Sequence, residues 1–351
     1  MISNMDVTKQ SLEEVNWTEL ENFVKSNLPE LSSFSMTVKQ FTAGYSNLTY
    51  LLSFGDNEMV LRRPPFGYIP PRAHDMEREY RILTKIHPIF PLAPKPLLYQ
   101  LDPNIMDKHF YIMEKKQGVV LDDQIPDCYA QIANVGEQIS TTFVDTLVQL
   151  HDIDYQQAGL SELGKPEGYL KRQVEGWIKR YEQSKTDDIQ LIDELVPWLL
   201  HNIPDSPKTT IVHNDFKLNN MMFSASNPSE VVGIFDWEMC TIGDPLVDLG
   251  LAIAYWTEPG DAETGLTTVT NQGGFLSRRE ILDRYANKSR LDVSNINYYV
   301  TFAFFKTAVV LQQLYYRWKI GELQDNRFEK LNVGIYNLLK QAQLTKGNKL
   351  L

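Results

Sequence analysis

Cysteine is nearly absent from this chain: Cys128 and Cys240 are the only two in 351 residues. That excludes the disulfide framework of a small secreted fold, and a reducing compartment, with a cytoplasmic location, is the expectation. Long apolar runs are missing as well, none approaching the roughly 20 residues of a membrane span. The opening stretch from Met1 to Glu13 is polar and acidic, without the apolar centre of a signal peptide. No membrane partner is expected. Positive charge is in short supply too, since 34 Lys and Arg face 45 Asp and Glu for a net charge of -11. This disfavours a broad nucleic-acid footprint, so no nucleic-acid partner is expected, and any anionic substrate must be held by local cations. What is present is ordinary for a globular protein, with 43% apolar and 23% charged residues. The length is large for one compact core and suggests two lobes.

Chemistry is densest in Thr210 to Phe223 and in Val231 to Glu238. Two apolar runs, Met221 to Phe223 and Val231 to Phe235, flank a polar connector, Ser224 to Glu230, and predict a β-hairpin with a longish loop. The residue entering one antiparallel strand neighbours the one leaving the other, so Asn220 and Asp236 are expected side by side. The β-branched run Thr209 to Val212 delivers His213 and Asp215 just ahead of Asn220. One amide and two carboxylates then converge, a hard-oxygen set that suits Mg²⁺ sharing its shell with phosphates.

Upstream, Ser11 and Glu14 stand at capping-box spacing and predict a helix running to Ser26. Met36 to Phe41, Thr49 to Phe54 and Met59 to Arg62 read as an antiparallel meander. Its first turn holds Gly44, Ser46 and Asn47, whose backbone N–H groups suit a phosphate, although taken alone the loop reads more simply as a plain hairpin turn. The proline-rich stretch Arg63 to Arg72 breaks the pattern. Ala73 to His87 then reads as a helix with Met76, Tyr80, Leu83 and Ile86 on its apolar stripe and Glu79 one residue off it. Strands at Leu97 to Leu101 and Phe110 to Met113 close a first lobe, residues 1–116. Residues 117–351 form a mostly helical second lobe, with helices near Val135 to His151, Tyr169 to Ser184, Asp188 to His201, Leu246 to Tyr255, Ser277 to Lys288, Asn295 to Leu314 and Phe328 to Gln343. Asp248, a carboxylate in an otherwise apolar helix, needs buried partners and reads as an acceptor that ties down backbone of the His213–Asp215 loop. Trp177 and Tyr181, beside Arg172, Lys179 and Arg180, read as a core-facing stripe with a solvated basic face.

The run His213-Asn-Asp-Phe-Lys-Leu-Asn-Asn220 has the spacing H-x-D-x-K-x-x-N, and Asp236-Trp-Glu238 stands where protein kinases carry their magnesium-binding D-F-G. On these residues the chain resembles the aminoglycoside phosphotransferase and choline kinase family. Val60-Leu-Arg-Arg-Pro-Pro65, Glu77-Arg-Glu-Tyr-Arg81, Gly168-Tyr-Leu-Lys-Arg-Gln173 and Gly243-Asp-Pro245 look most like the phosphotransferase domains linked to acyl-CoA dehydrogenases. The resemblance spans about residues 20–340 and implies an α+β, bilobal, protein-kinase-like fold. It further implies ATP and Mg²⁺ as cofactors and a small-molecule hydroxyl acceptor. In those terms Asp215 accepts the proton from, or orients, the acceptor hydroxyl. Lys217 neutralises charge on the transferred group, Asn220 and Asp236 hold Mg²⁺, and Glu238 assists with metal or nucleotide. Met113 is the gatekeeper, and the backbones of Glu114 and Lys116 meet the adenine edge. Two departures stand out. Asn214 replaces the family's usual Gly, and Arg62 stands at the phosphate-binding lysine position, where it pairs with Glu79.

Trp177, Tyr181, Tyr255 and Trp256 are candidate lining residues for the acceptor. The basic residues from Arg172 to Arg180, with the look of the dehydrogenase-linked group, tilt the acceptor towards a hydroxyacid or hydroxyacyl compound over choline or an aminoglycoside. Two other functions fit the same acids: a metal-dependent phosphohydrolase, and a catalytically silent nucleotide-binding module.

Overall fold

The structure, a computed structural model, describes residues 15–41, 47–66, 75–266 and 268–348. Gly44, Ser46 and the capping box of Ser11 and Glu14 lie outside the described residues. The chain forms two compact units, one of Met1–Gln117 with Gly233–Glu238, the other of Gly118–Val232 with Met239–Leu351.

The first unit is built on five antiparallel strands, β1 (Met36–Gln40), β2 (Leu48–Phe54), β3 (Asn57–Arg63), β4 (Pro96–Gln100) and β5 (Phe110–Glu114), in the order β1-β2-β3-β5-β4. Between β2 and β3 the chain turns through Gly55, whose φ of 61° is costly for a side-chain-bearing residue. Alternation along β2 buries Tyr50, Leu52 and Phe54. These join Leu20 and Val24 of helix α1 (Trp17–Asn27) and Phe110 and Ile112 of β5 in one core. β3 is buried on both faces: Met59 and Leu61 belong to this core, while Val60 and Arg62 point the other way. Helix α2 (Met76–Ile86) packs on β4 and β5, is capped by Asp75 and buries Glu79 together with Met76, Ile82, Leu83 and Ile86. Tyr80 is only half-buried, so the stripe runs through Glu79 instead of beside it. The acid is carried inward because its partner, Arg62, lies inside.

The second unit carries two small sheets, β7 (Thr210–Val212) with β10 (Thr241–Gly243), and β6 (Val119–Val120), β8 (Met221–Ser224) and β9 (Asn227–Ile234) in the order β6-β8-β9. The hairpin expected with a long loop is tighter than that: only Ala225 and Ser226 separate β8 from β9. Pro228 is accommodated because β9 lies at the sheet edge, where a missing N–H breaks no ladder. Around the sheets stand α3 (Val135–His151), α4 (Tyr169–Ser184), α5 (Gln190–His201), α6 (Pro245–Tyr255), α7 (Arg278–Ser289), α8 (Ile296–Lys319) and α9 (Leu331–Lys346). α6 starts on the Asp244 cap with Pro245 in its first turn, and Tyr299 of α8 donates to the same Asp244 carboxylate at 2.6 Å. α6 and α8 cross closely at Gly250, where a Cβ would lie 2.7 Å from the Tyr299 backbone. Among the described residues, no helix is long and apolar enough to cross a membrane.

Candidate active site

In the second unit, β7 ends at Val212 and releases a loop that is pinned at nearly every polar atom. His213 N and Asn214 N donate to the two oxygens of the Asp248 carboxylate, at 2.6 and 2.7 Å. Asp248 projects from α6 and is fully buried; His151 Nε2 lies 3.3 Å from it, and His151 Nδ1 lies 2.7 Å from Tyr285 Oη. Asp248 is thus the backbone acceptor its apolar surroundings demanded. Burial works to raise its pKa, but the hydrogen bond and charge of His151, with His213 behind them, hold the carboxyl below its ordinary value.

Asn214 sits at φ 66°, in the left-handed region. Its side chain explains why a residue other than glycine serves there. Oδ1 accepts from Tyr169 Oη at 2.5 Å and Nδ2 donates to Met239 O at 2.9 Å. Asparagine tolerates the conformation and uses it to bind two further segments. Asn214→Ala is expected to lower unfolding free energy by about 2–4 kcal/mol, from two buried partners left unpaired plus backbone strain, with Asn214→Gly costing less. Urea denaturation of the two variants checks the order.

The loop presents Asp215, and the structure brings Asp215, Lys217 and Asn220 together. Asp215 Oδ2 lies 3.0 Å from Lys217 Nζ and accepts from Asn220 Nδ2 at 2.8 Å. Asn220 Nδ2 also reaches Asp215 O at 2.9 Å, across a single turn of 3₁₀ helix at Leu218–Asn220. Lys217 lies over the Tyr255 ring at 5.1 Å. His213 is buried, packs on Phe216, and lies with Nδ1 3.2 Å from Asp215 N. It supports the loop from beneath.

Tyr255 is half-buried and, with Trp256 and Lys217, lines a crevice that also includes Phe143 and Asn219. Tyr181 does not open to such a surface: it is buried against Phe305. Trp177 is buried as well, with Arg180 stacked at 4.7 Å and Lys306 at 5.6 Å from its ring. Lys306, His151 and Tyr169 were not singled out from the sequence. For Lys306 a signal existed, because it is the only charged residue in the buried run Ile296–Val309.

In the first unit, Arg62 is the centre of an acidic cluster. Its Nη1 lies 3.0 Å from Glu79 Oε1, and its Nη2 lies 2.7 Å from Asp236 Oδ1 and 3.0 Å from Glu238 Oε2. Asn47 Nδ2 donates to the same Glu238 oxygen at 3.2 Å. Asp236 adopts φ 63°, a second left-handed residue beside the chemistry. Burial pushes the Glu79 carboxyl up to about 7 against the pull of Arg62, and Glu238 and Asp236 add to the upward push. Burial opposes the charge of Arg62, but the surrounding carboxylates hold its pKa well above the ordinary value. Arg78 Nε also reaches Glu238 O at 3.3 Å, and oxygens of Glu79, Asp236 and Glu238 lie within 4.8 Å of one another. An all-oxygen carboxylate set of this kind fits Mg²⁺.

Met113 is buried opposite Val60 in β3. Glu114 N donates to Lys95 O at 2.9 Å, and the Glu114 carboxylate is tied to Lys95 N at 2.7 Å and Lys116 Nζ at 2.8 Å. Burial would raise the Glu114 pKa, yet Lys116 and Lys95 hold it below the ordinary value. Both side chains are occupied with local structure.

The chain is similar to known proteins in sequence and in fold. Residues 37–282 match the phosphotransferase enzyme family, APH, and the chain belongs to that family. It is 34% identical to acyl-CoA dehydrogenase family member 11 of Rattus norvegicus over 335 residues, which cover 90% of this chain but 42% of that protein. The chain therefore spans less than half the length of that relative. Among solved structures, a provisionally assigned aminoglycoside phosphotransferase of Ralstonia eutropha aligns at TM-score 0.76 and 26% identity, covering 94% of this chain and 98% of the other. A thermostable mutant of aminoglycoside phosphotransferase APH(4)-Ia, in ternary complex with ADP and hygromycin B, aligns at TM-score 0.59 and 14% identity, covering 91% and 98%. The fold is α+β and kinase-like.

Proposed function

We propose that this chain is an ATP- and Mg²⁺-dependent phosphotransferase that moves the γ-phosphate of ATP to a hydroxyl of a small molecule. The observation that carries the reading is the Asp215 carboxylate held by Lys217 and Asn220 on a loop anchored to Asp248. A carboxylate so placed orients the acceptor hydroxyl and takes its proton as the oxygen bonds to the γ-phosphorus and ADP leaves. Lys217 offsets charge on the transferred group. Asp236, Glu238 and Asn220 are the proposed Mg²⁺ ligands; the ion, when bound, neutralises phosphate charge and draws off the leaving group's negative charge. Arg62, oriented by Glu79, takes phosphate oxygens in a forked grip in place of the usual lysine. The backbones of Gly44, Ser46 and Asn47 are assigned to the phosphates as well, and Met113 with the backbones of Glu114 and Lys116 to the adenine. The ADP in the APH(4)-Ia complex supports the choice of nucleotide.

For the acceptor, a hydroxyacid or hydroxyacyl compound is favoured. A choline-like cation needs free aromatic faces. Here Trp177 is buried, and the crevice-lining Tyr255 already carries Lys217 over its ring. An anionic acceptor meets Lys217 instead of competing with it. The name of the mammalian relative, an acyl-CoA dehydrogenase, points the same way.

An ADP-release screen over choline, aminoglycosides, sugars, hydroxyacids and hydroxyacyl thioesters tests the reading, with Asp236→Ala as control. Phosphorylation confined to acids or thioesters is the expected result. Cleavage of phosphate esters without ATP would identify a hydrolase, and an absence of any Mg·ATP binding would sink the kinase reading. In calorimetry, Arg62→Met is expected to weaken Mg·ATP binding about 10- to 100-fold, the worth of one or two charge-assisted hydrogen bonds.

A further inference from the structure

Lys306 is an unexpected residue in its place. It projects from the middle of α8, flanked by Phe304, Phe305, Thr307 and Ala308, all buried, and is itself 7% exposed. An apolar side chain would satisfy that packing without the desolvation of an ammonium, so the charge is kept at a cost that packing does not explain. Burial holds the Lys306 ammonium below the usual lysine range, while Asp215 and Asp248 pull it back up. Its one hydrogen bond among the described residues goes to Asn214 O, at 2.8 Å.

That oxygen belongs to the peptide unit joining Asn214 to Asp215. The unit's N–H end, Asp215 N, lies 3.2 Å from His213 Nδ1. Asp248 fixes the two N–H groups before it, and Tyr169 and Met239 fix the Asn214 side chain. The Asn214 carbonyl is the remaining polar group of that residue, and rotation of this peptide plane swings Asp215 directly. A left-handed residue such as Asn214 persists only where its surroundings over-determine it. Lys306 reaches across 92 positions of sequence to supply that last constraint.

We propose that Lys306 is a positioning residue for Asp215, locking the Asn214–Asp215 peptide plane so that the carboxylate faces the attacking hydroxyl. The proposal rests on the reading of Asp215 as the base. It assigns to α8, remote in sequence from the H-x-D-x-K-x-x-N run, a direct part in setting the geometry of phosphotransfer.

The test needs no identified acceptor, because water serves in its place. Its oxygen bonds to the γ-phosphorus, the bond to the ADP oxygen breaks, and Asp215 takes the proton, giving ADP and phosphate. Wild type, Lys306→Met, Lys306→Gln and Asp215→Asn are compared for Mg·ATP hydrolysis and for amide hydrogen exchange of residues 213–220. Lys306→Met is expected to lower kcat about 10- to 100-fold, the scale of a misplaced catalytic group, with KM for Mg·ATP within about twofold of wild type. Exchange in 213–220 is expected to rise about tenfold in Lys306→Met while α3 and α6 keep their protection. Lys306→Gln, which keeps a donor, is expected between Met and wild type, and it carries the comparison if the Met variant does not fold. Unchanged exchange in these variants, or a loss confined to KM, overturns the proposal. If Asp215→Asn hydrolyses Mg·ATP like wild type, the base reading fails, and exchange alone then decides whether Lys306 holds the loop.

Discussion

Replacing Asp215 by alanine is expected to lower acceptor phosphorylation about 10²- to 10⁴-fold, the usual worth of a positioned acid–base group. Mg·ATP binding should stay within a few-fold of wild type, because the acids around Arg62 lie on other segments and are untouched. Among the described residues the hydrogen bonds and ion pair of Asp215 go to groups of its own loop, Asn220, Lys217 and the His213 ring, although its charge also supports the buried Lys306 ammonium. Its loss therefore removes chemistry with little loss of fold, and thermal unfolding is expected to move little. Lys217→Ala should give a smaller loss, since a half-exposed lysine contributes charge and not the proton acceptor. Initial rates with the acceptor found by the ADP-release screen, at saturating Mg·ATP, check both. Near-normal turnover by Asp215→Ala would remove the proton acceptor from the mechanism and leave the phosphotransferase reading without its base.

That Asp215 and Asn220 meet was legible in the sequence because they lie within six residues, joined by one turn, whereas Lys217 entered through the family resemblance. Local spacing decides such an encounter. Arg62 and Glu79 were legible through the family resemblance alone, which sets Arg62 at the phosphate-binding lysine position and pairs it with Glu79; the apolar stripe through Tyr80 left Glu79 off the buried face. Asp248 followed from the logic of burial, a carboxylate in the most apolar helix of the chain. Lys306 obeys that logic equally, but its acceptor is a main-chain oxygen, and a backbone atom leaves no mark in the side-chain pattern. The turn at Ala225–Ser226 was misread because Pro228 and the polar residues of early β9 look like loop. An edge strand open to solvent carries such residues without penalty. Trp177 and Tyr181 beside basic residues suit either a cleft or a core, and their burial decides for the core-facing stripe over a lining of the acceptor site.

The second large effect belongs to Asp248, and it falls on stability. Asp248→Ala strands two backbone N–H groups in a fully buried setting and leaves His151 without its carboxylate. Breaking a buried charged network from one side costs about 3–5 kcal/mol, which is a large part of the stability of an ordinary domain. Asp248→Asn is expected to cost less, because one oxygen still accepts while its amide nitrogen faces an N–H. Acidification should reproduce part of the effect in the wild type. A carboxylate held below its unfolded-state pKa stabilises the fold at pH values above that unfolded value, and the contribution is lost as pH falls through the folded one. Urea unfolding at neutral pH and across the acid range checks both statements. The Asn variant should lose less stability on acidification than the wild type, having no proton to take up at that position. A cost below about 1 kcal/mol for Asp248→Ala would mean that water or a shifted loop replaces the carboxylate. The loop that carries Asp215 would then not depend on α6, and its anchoring from outside would have to come from Lys306, Tyr169 and the Met239 backbone.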